Sequence, residues 1–343
     1  MNIYVLNTLD IGIDTINILE KHLRIRGVIG LSEKERTGCI SGYRYMNPYC
    51  EQKAIPFIEV ESYSLSNPRD RERLIPLTID ILIVAGWQRL IPGWLINRCT
   101  YAAIGSHGSA VGITGGRGRS PQNWALILGK KEFHISIFRI NEGIDSGEII
   151  DTRSYILSEM DDIKTSYYKA SWLTAHMIIE TINNGTITSG GFKEQDGEAK
   201  YFPQRLPEDG EIDWSRTADQ IYDYVRALTH PYPGAFSIVG EHKVTIWKAR
   251  PFEVQAWSKT WNQGEIVKVF ANHDFLVKTG DAFLLVEDYA VSCDDGVFCI
   301  EEGVVLPSCN YRKQMKTIVD RHYQKYSTLT LSDEILSVCQ RNV

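Results

Sequence analysis

Six short apolar runs, separated by helical stretches, occupy the first 150 residues, and that alternation leaves few folds open. The most restrictive run is Asp80–Ala85, which reads DILIVA. A continuous run of branched apolar residues needs cover on both faces, which is the setting of a central strand in a parallel sheet. Asn2–Asn7 and Ile25–Gly30 read as strands around an amphipathic helix at Ile13–Leu23. Ile55–Val60, Ala102–Ser106 and Phe133–Ile140 read as further strands. The pattern predicts an α/β fold in which a mostly parallel sheet is covered by helices. Functional loops in such a sheet gather at the carboxyl ends of the strands. The first turn, from Asn7 to Gly12, lacks GxGxxG, so no dinucleotide site is expected there.

Beyond residue 150 the pattern changes. Residues 162–184 read as one helix, with Asp162 as its cap and Gly185 as its stop. A polar, glycine-rich stretch over 186–210 reads as an inter-domain connection. Thr217–Leu228 reads as a short helix. Ala235–Val239, Lys243–Lys248, Gly264–Val269, Asp274–Thr279 and Ala282–Asp288 read as closely spaced strands of a small β-rich barrel or sandwich. The last 30 residues read as helical. A chain of 343 residues suits this division: a domain over 1–200, a linker helix with a β-rich domain over 201–311, and a helical tail over 312–343.

Charge follows the same division. Residues 1–200 carry 22 basic and 23 acidic side chains, and residues 201–343 carry 15 and 20. Residues 251–311 hold three basic side chains against ten acidic ones, a module that repels a phosphate backbone. No nucleic-acid partner is expected. The N-terminus has no basic run ahead of an apolar core, and no stretch approaches the roughly 18 apolar residues of a membrane helix. The seven cysteines, Cys39, Cys50, Cys99, Cys293, Cys299, Cys309 and Cys339, show neither CxxC nor zinc-ligand spacing. The reading is a cytoplasmic chain with reduced thiols, no membrane contact and no metal.

The informative stretch runs from Ala102 to Asp151. His107 is expected in a loop directly after a strand, with six glycines between Gly105 and Gly118. Glycines let a backbone approach a ligand and present its N–H groups. Arg117 and Arg119 are candidate anion clamps in that loop, and Pro121 opens a helix. Asp145 lies in a second glycine-flanked turn after the next strand. Two loops at one sheet edge would bring the imidazole and the carboxylate together, as a proton-shuttling histidine requires. A lone loop histidine is ordinarily structural, so spacing alone makes this pair a candidate and no more.

The wording of these segments resembles the folate-dependent formyltransferases, which include the methionyl-tRNA, glycinamide-ribonucleotide and sugar-nucleotide enzymes. Ser106-His107-Gly108-Ser109, then Arg117-Gly118-Arg119-Ser120-Pro121-Gln122-Asn123-Trp124, then Glu142-Gly143-Ile144-Asp145-Ser146-Gly147 match the family pattern in order. A second block, Tyr201 to Trp214 with Val225-Arg226-Ala227 and Pro231 to Phe236, is similar to the sugar-nucleotide branch. The resemblance covers about residues 75–250 and implies a Rossmann-like catalytic domain followed by an OB-like β module.

It also implies formyl transfer from 10-formyltetrahydrofolate to an amino sugar, with His107 as catalytic acid/base and Asp145 as the residue that holds it. Arg89, Leu90, Ile91, Arg119 and the run Asn141, Glu142, Gly143, Ile144, Asp145 match the folate-binding positions. Arg117, Asn123, Arg205 and Tyr232 are the substrate-side candidates; backbone N–H groups of the glycine-rich loop, the amide of Asn123 or an ordered water are the stand-in donors for the oxyanion. Family members are often dimers, so a homodimer is expected. The wording is most similar to enzymes that formylate a UDP-linked 4-amino-4,6-dideoxyhexose for cell-surface nonulosonic acids, lipopolysaccharide or capsule. One departure stands out: the family's Asn, two residues before the histidine, falls on Gly105. Two alternatives follow, a methionyl-tRNA formyltransferase-like enzyme and a folate or sugar-nucleotide binder that does not turn over.

Overall fold

The computed structural model describes residues 1–35, 40, 42–253, 260–292 and 298–340. Cys39, Cys293, Lys259, Asp294 and Asp295 lie outside them. Two compact units divide the chain. One comprises 1–118, 132–156 and 167–199, the other 119–131, 157–166 and 200–343.

In the first unit β1 (Ile3–Leu6), β2 (Ile25–Leu31), β3 (Phe57–Val60), β4 (Ile79–Val84) and the first half of β5 (Cys99–Ser109) run parallel. A two-residue strand, β6 (Arg117–Gly118), follows β5 in the chain. Two antiparallel strands, β7 (Glu132–Arg139) and β8 (Ile149–Ile156), complete a seven-stranded sheet ordered β3-β2-β1-β4-β5-β7-β8. Helices α1 (Asp10–Leu19), α2 (Asn47–Lys53), α3 (Pro68–Leu74), α4 (Gly93–Ile96) and α5 (Gly112–Gly115) fill the connections. Leu6, Ile29, Leu31, Val60, Leu82 and Ala103 of the strands pack with Leu65, Leu74, Trp87 and Leu95 in one apolar core. β4 is the predicted central strand, with Ile81, Leu82 and Ile83 all buried.

Two sequence expectations change here. His107 is a strand residue, because β7 pairs with the second half of β5 and carries it past Ser106, with Gly105 opposite Phe138 and His107 opposite Ser136. β8 was not expected at all. Its residues alternate between half-buried and exposed, and Arg153 pairs with both Asp151 and Glu180, so no apolar run marks it.

The second unit contains α6 (Pro121–Ile127), and α7 (Ile163–Asn183) is the long predicted helix. Its start is fixed reciprocally: Thr165 N–H donates to Asp162 Oδ1 (2.8 Å), and Asp162 N–H donates to Thr165 Oγ1 (3.0 Å). Gly185, at φ 82°, ends it in the left-handed conformation. After α8 (Thr186–Ser189) and β9 (Tyr201–Phe202) comes α9 (Ala218–Leu228), capped by Thr217. A five-stranded antiparallel sheet follows, built from β10 (Ala235–Val239), β11 (His242–Phe252), β12 (Ile266–Val269), β13 (Phe275–Lys278) and β14 (Phe283–Val291) in the order β10-β11-β14-β13-β12. The tail forms α10 (Tyr311–Lys325) and α11 (Asp333–Gln340).

Asp162→Ala removes the side-chain acceptor at the α7 cap. It is expected to lower unfolding free energy by about 1 kcal/mol in urea denaturation, and an unchanged midpoint would contradict that capping role.

Candidate active site

Side chains two apart on a strand share a face, so Ala103, Gly105 and His107 line one side of β5. His107 is well enclosed, its side chain 9% exposed, and both ring nitrogens meet acceptors. Nε2 lies 2.8 Å from the Gly116 carbonyl, and Nδ1 lies 3.4 Å from Asp145 Oδ2. A carbonyl oxygen only accepts, so Nε2 donates in that contact. A carboxylate beside the other nitrogen fixes the orientation of the ring, as a proton-transferring imidazole needs.

The Asp145 turn is built to aim that carboxylate. Asn141 Oδ1 accepts from the Gly143 N–H (3.0 Å) and from Ser146 Oγ (2.8 Å), which closes a compact loop. Asp145 itself has φ 48°, the left-handed region that aspartate tolerates better than most residues. Its Oδ2 also accepts from the Gly118 N–H at 3.1 Å, so the carboxylate bridges the imidazole and the arginine–glycine segment. Gly147 lets the turn pass β7 closely, since a Cβ there would sit 1.6 Å from the Arg139 carbonyl oxygen.

One residue of this constellation escaped the sequence reading. Gln195, in the stretch taken for a connection, accepts from Arg117 Nε (3.2 Å) and Nη2 (2.7 Å) and donates to the carbonyls of Asp145 (2.7 Å) and Gly147 (2.8 Å). No motif marks it. The only signal available was one amide among charged residues.

Along the first residues of β5 lies a cleft of about 560 Å³, lined by Cys99 to Ala103, by Gly93, Ile96 and Asn97, and by Ile140, Asn141 and Glu142 among others; His107 and Asp145 are not in its lining. Ile96, Ala103 and Ile140 give it an apolar wall, and Asn97, Asn141 and Glu142 give it a polar edge. That lining and that size suit a flat heterocycle with hydrogen-bonding rim atoms. Gly93 leaves room in it, because a Cβ there would lie 2.1 Å from Glu142 Oε1. Burial pushes the Cys99 thiol up to about 11, so this sulfur is a protonated wall atom at neutral pH. The place of the family's Asn is apolar as well. A Cβ on Gly105 would meet Ile140 at 3.0 Å and Phe138 at 3.1 Å.

The structure brings together His107, Arg117 and Asp145, and it sets Asn141 and Glu142 in the cleft wall. Gly143 and Ile144 belong to the Asp145 turn. Arg89, Leu90 and Ile91 are not among the cleft's lining residues. Arg89 stacks on Tyr63 (5.4 Å), Leu90 is 57% exposed and Ile91 is packed in the core. The other candidates lie in the second unit, where two of them need correction. Asn123 is buried, and its amide donates to the Ala227 carbonyl at 2.8 Å, which turns it to a packing role within the second unit rather than an open oxyanion donor. Arg205 is enclosed between the rings of Trp124 (4.9 Å) and Tyr224 (5.2 Å), and its Nη2 donates to the Asp209 carbonyl and to Tyr224 Oη. It is a packed cation rather than an open phosphate clamp. Arg119 is exposed, with its N–H on the Phe202 carbonyl (3.2 Å), and Tyr232 is half-buried with its N–H on the Thr229 carbonyl (3.0 Å). Among the described residues no group of three or more His, Cys, Asp or Glu is placed to hold a metal ion, and no helix is long and apolar enough to cross a membrane.

Comparison with known proteins gives the family. Residues 28–182 match the family model described as formyl transferase, and residues 206–295 match that of the formyl transferase C-terminal domain, together more than two thirds of the chain. The chain belongs to the formyltransferase family. Methionyl-tRNA formyltransferase of Caldanaerobacter subterraneus subsp. tengcongensis is 27% identical over 291 residues, which span 83% of this chain and 91% of that one. Among solved structures, HypX from Aquifex aeolicus in complex with tetrahydrofolic acid has a TM-score of 0.58 at 19% identity over 84% of this formyltransferase. The chain spans 44% of the length of HypX. The N-formyltransferase from Helicobacter canadensis, solved with folinic acid and dTDP-3-aminofucose, has a TM-score of 0.56 at 13% identity over 84% of this chain and 100% of that one. These two structures share the fold with it.

The glycines of the Asp145 turn make a stability test. Gly147→Ala drives a methyl into the backbone at Arg139 and is expected to cost about 2–3 kcal/mol by thermal unfolding. Gly143→Ala meets the Ser146 side chain and Asn141 Oδ1 rather than backbone; displacing the Ser146 hydroxyl costs its bond to Asn141, and the expected loss is about 1 kcal/mol. Equal losses would contradict the close approach of the turn to β7.

Proposed function

We propose that this formyltransferase moves the formyl group of 10-formyltetrahydrofolate onto the amino group of a nucleotide-linked amino sugar, with a UDP-4-amino-4,6-dideoxyhexose as the substrate class, on a route to cell-surface glycans. The observation that carries the reading is the enclosed His107–Asp145 pair, whose loop, through Asn141 and Glu142, also lines a cleft along the first residues of β5. The cleft between Gly93 and Glu142 would hold the pterin ring of the folate, with Asn141 and Glu142 along its edge. When bound, the folate supplies the one-carbon group. The chain's own part is to hold and move protons. An attacking amine must be uncharged and must lose a proton as it is acylated; His107 takes it at Nε2 in the tautomer that carries its own proton on Nδ1 against Asp145, which requires Nε2 to leave the Gly116 carbonyl. Asp145 keeps the ring turned toward that task.

Two observations support a small anionic acceptor. The Tyr201 to Phe236 block is similar to the sugar-nucleotide branch, and Arg117, next in the chain to the Gly116 whose carbonyl meets His107, is the candidate cation for phosphate. The structure solved with dTDP-3-aminofucose shares the fold over its whole length. A second reading, formylation of methionyl-tRNA, is favoured by the relative at 27% identity. Against it stands the charge of residues 251–311, three basic side chains to ten acidic, which works against a polyanion of that size.

The test incubates the protein with formyltetrahydrofolate and a panel of UDP- and dTDP-4-amino sugars, with charged initiator tRNA as a separate arm, and weighs the products. The expected outcome is a formylated sugar nucleotide, no formyl-methionyl-tRNA, and turnover lower by about a hundredfold to ten-thousandfold in His107→Ala. Formylation of the tRNA alone would replace the sugar reading. Ligand binding with no turnover on any acceptor would identify a non-catalytic binder.

A further inference from the structure

Gln195 lies between the two matched family segments, which end at residue 182 and resume at 206. It is the most heavily bonded side chain of the site. Its Oε1 takes the Nε and Nη2 donors of Arg117 together with Thr114 Oγ1 (3.3 Å). Its Nε2 spends both hydrogens on consecutive turns of the Asp145 loop, at the carbonyls of Asp145 and Gly147. The segment that carries it is itself fixed, because Lys193 and Ile149 exchange two backbone hydrogen bonds at 2.7 and 2.9 Å.

We propose that Gln195 is a positioning residue for catalysis: its amide clamps the Asp145 turn on one side and the Arg117 guanidinium on the other, and so sets both around His107. The proposal rests on the formyl-transfer reading above. The physical case is one of accounting for constraints. Asp145 sits in the left-handed region, where a non-glycine residue needs outside support to stay. Its carboxylate is tied by the Gly118 N–H, and its own carbonyl is tied by Gln195. With both ties in place the carboxylate has one direction, toward Nδ1. Without the amide, two carbonyls of the turn and two donors of Arg117 lose their partner together. A shift of the turn by about 1 Å is enough to cost on the order of a hundredfold in rate at a site of this kind. The amide is the only uncharged side-chain group that supplies two donors and an acceptor here. A carboxylate at this position would still accept from Arg117 and would face the two carbonyls without a donor.

The test uses the full chain with Q195M, which fills the same space with no hydrogen bond, and Q195E, which keeps the acceptor for Arg117 and loses both donors. Both are compared with wild type for kcat, for KM of formyltetrahydrofolate and of the amino acceptor, for thermal midpoint, and by crystal structure. The expected result is kcat lower by tenfold to a hundredfold in both variants. The folate KM should stay within about threefold, and the acceptor KM should rise in Q195M and not in Q195E. The separation of His107 Nδ1 from Asp145 Oδ2 should lengthen by about 1 Å. Wild-type kcat in Q195M, or a loss confined to the thermal midpoint, would overturn the positioning role. Absence of formyl transfer in wild type would overturn the reading of the site instead. The Q195M structure then decides alone: an Asp145 turn unmoved against His107 refutes the clamp, and a displaced turn supports it.

Discussion

The site depends on one carboxylate. Asp145 Oδ2 reaches His107 Nδ1 at 3.4 Å and receives the Gly118 N–H at 3.1 Å, so it joins the strand that holds the imidazole to the glycine-rich segment after it. Hydrogen bonds to a charged group each contribute about 1.5–3 kcal/mol, roughly twice a neutral one. Here they are spent on orientation. Asp145 is 22% exposed and the His107 side chain 9%. The left-handed turn, the Asn141 side chain that closes it and the Gln195 amide that ties its carbonyls all serve to keep that oxygen in place.

The sheet explains how four distant segments meet there. Parallel strands β1 to β4 supply a rigid apolar core, and the change to antiparallel pairing at β7 extends β5 far enough to present His107 from a strand rather than a free loop. The same antiparallel return brings residues 139–147 back beside β5, which places the cleft wall of Ile140, Asn141 and Glu142 next to Ala103 and Gly105. Where relatives are expected to carry an amide, Ile140 and Phe138 close over Gly105. Gly105 itself offers no side-chain donor there.

Much of this was legible in the sequence. Runs such as DILIVA need burial on both faces whatever surrounds them, and β1, β2, β4 and α7 formed within a few residues of where their apolar pattern and caps placed them. The His107–Asp145 approach followed from two glycine-flanked positions at one sheet edge. The rest depends on tertiary context. β8 is stabilised by pairing with β7 and by ion pairs of Arg153, and neither leaves an apolar pattern. Gln195 acts through backbone carbonyls 48 and 50 positions away, which no local motif encodes. Asn123 sits in a segment that matches the family and Arg205 one residue before the next, yet their side chains bond to Ala227, Asp209 and Tyr224 within the second unit. A motif fixes where a residue stands in the chain, and packing decides whether its polar atoms remain available to a ligand.

A double-mutant cycle on the pair is the most direct measurement, with kcat for formyl transfer taken in wild type, His107→Ala, Asp145→Ala and the double variant. If Asp145 acts by orienting His107, its removal has little further effect once the imidazole is gone, and the double variant should be within a few-fold of His107→Ala. Fully additive losses, with the double variant slower by the product of the two single effects, would show two independent groups and contradict the paired arrangement.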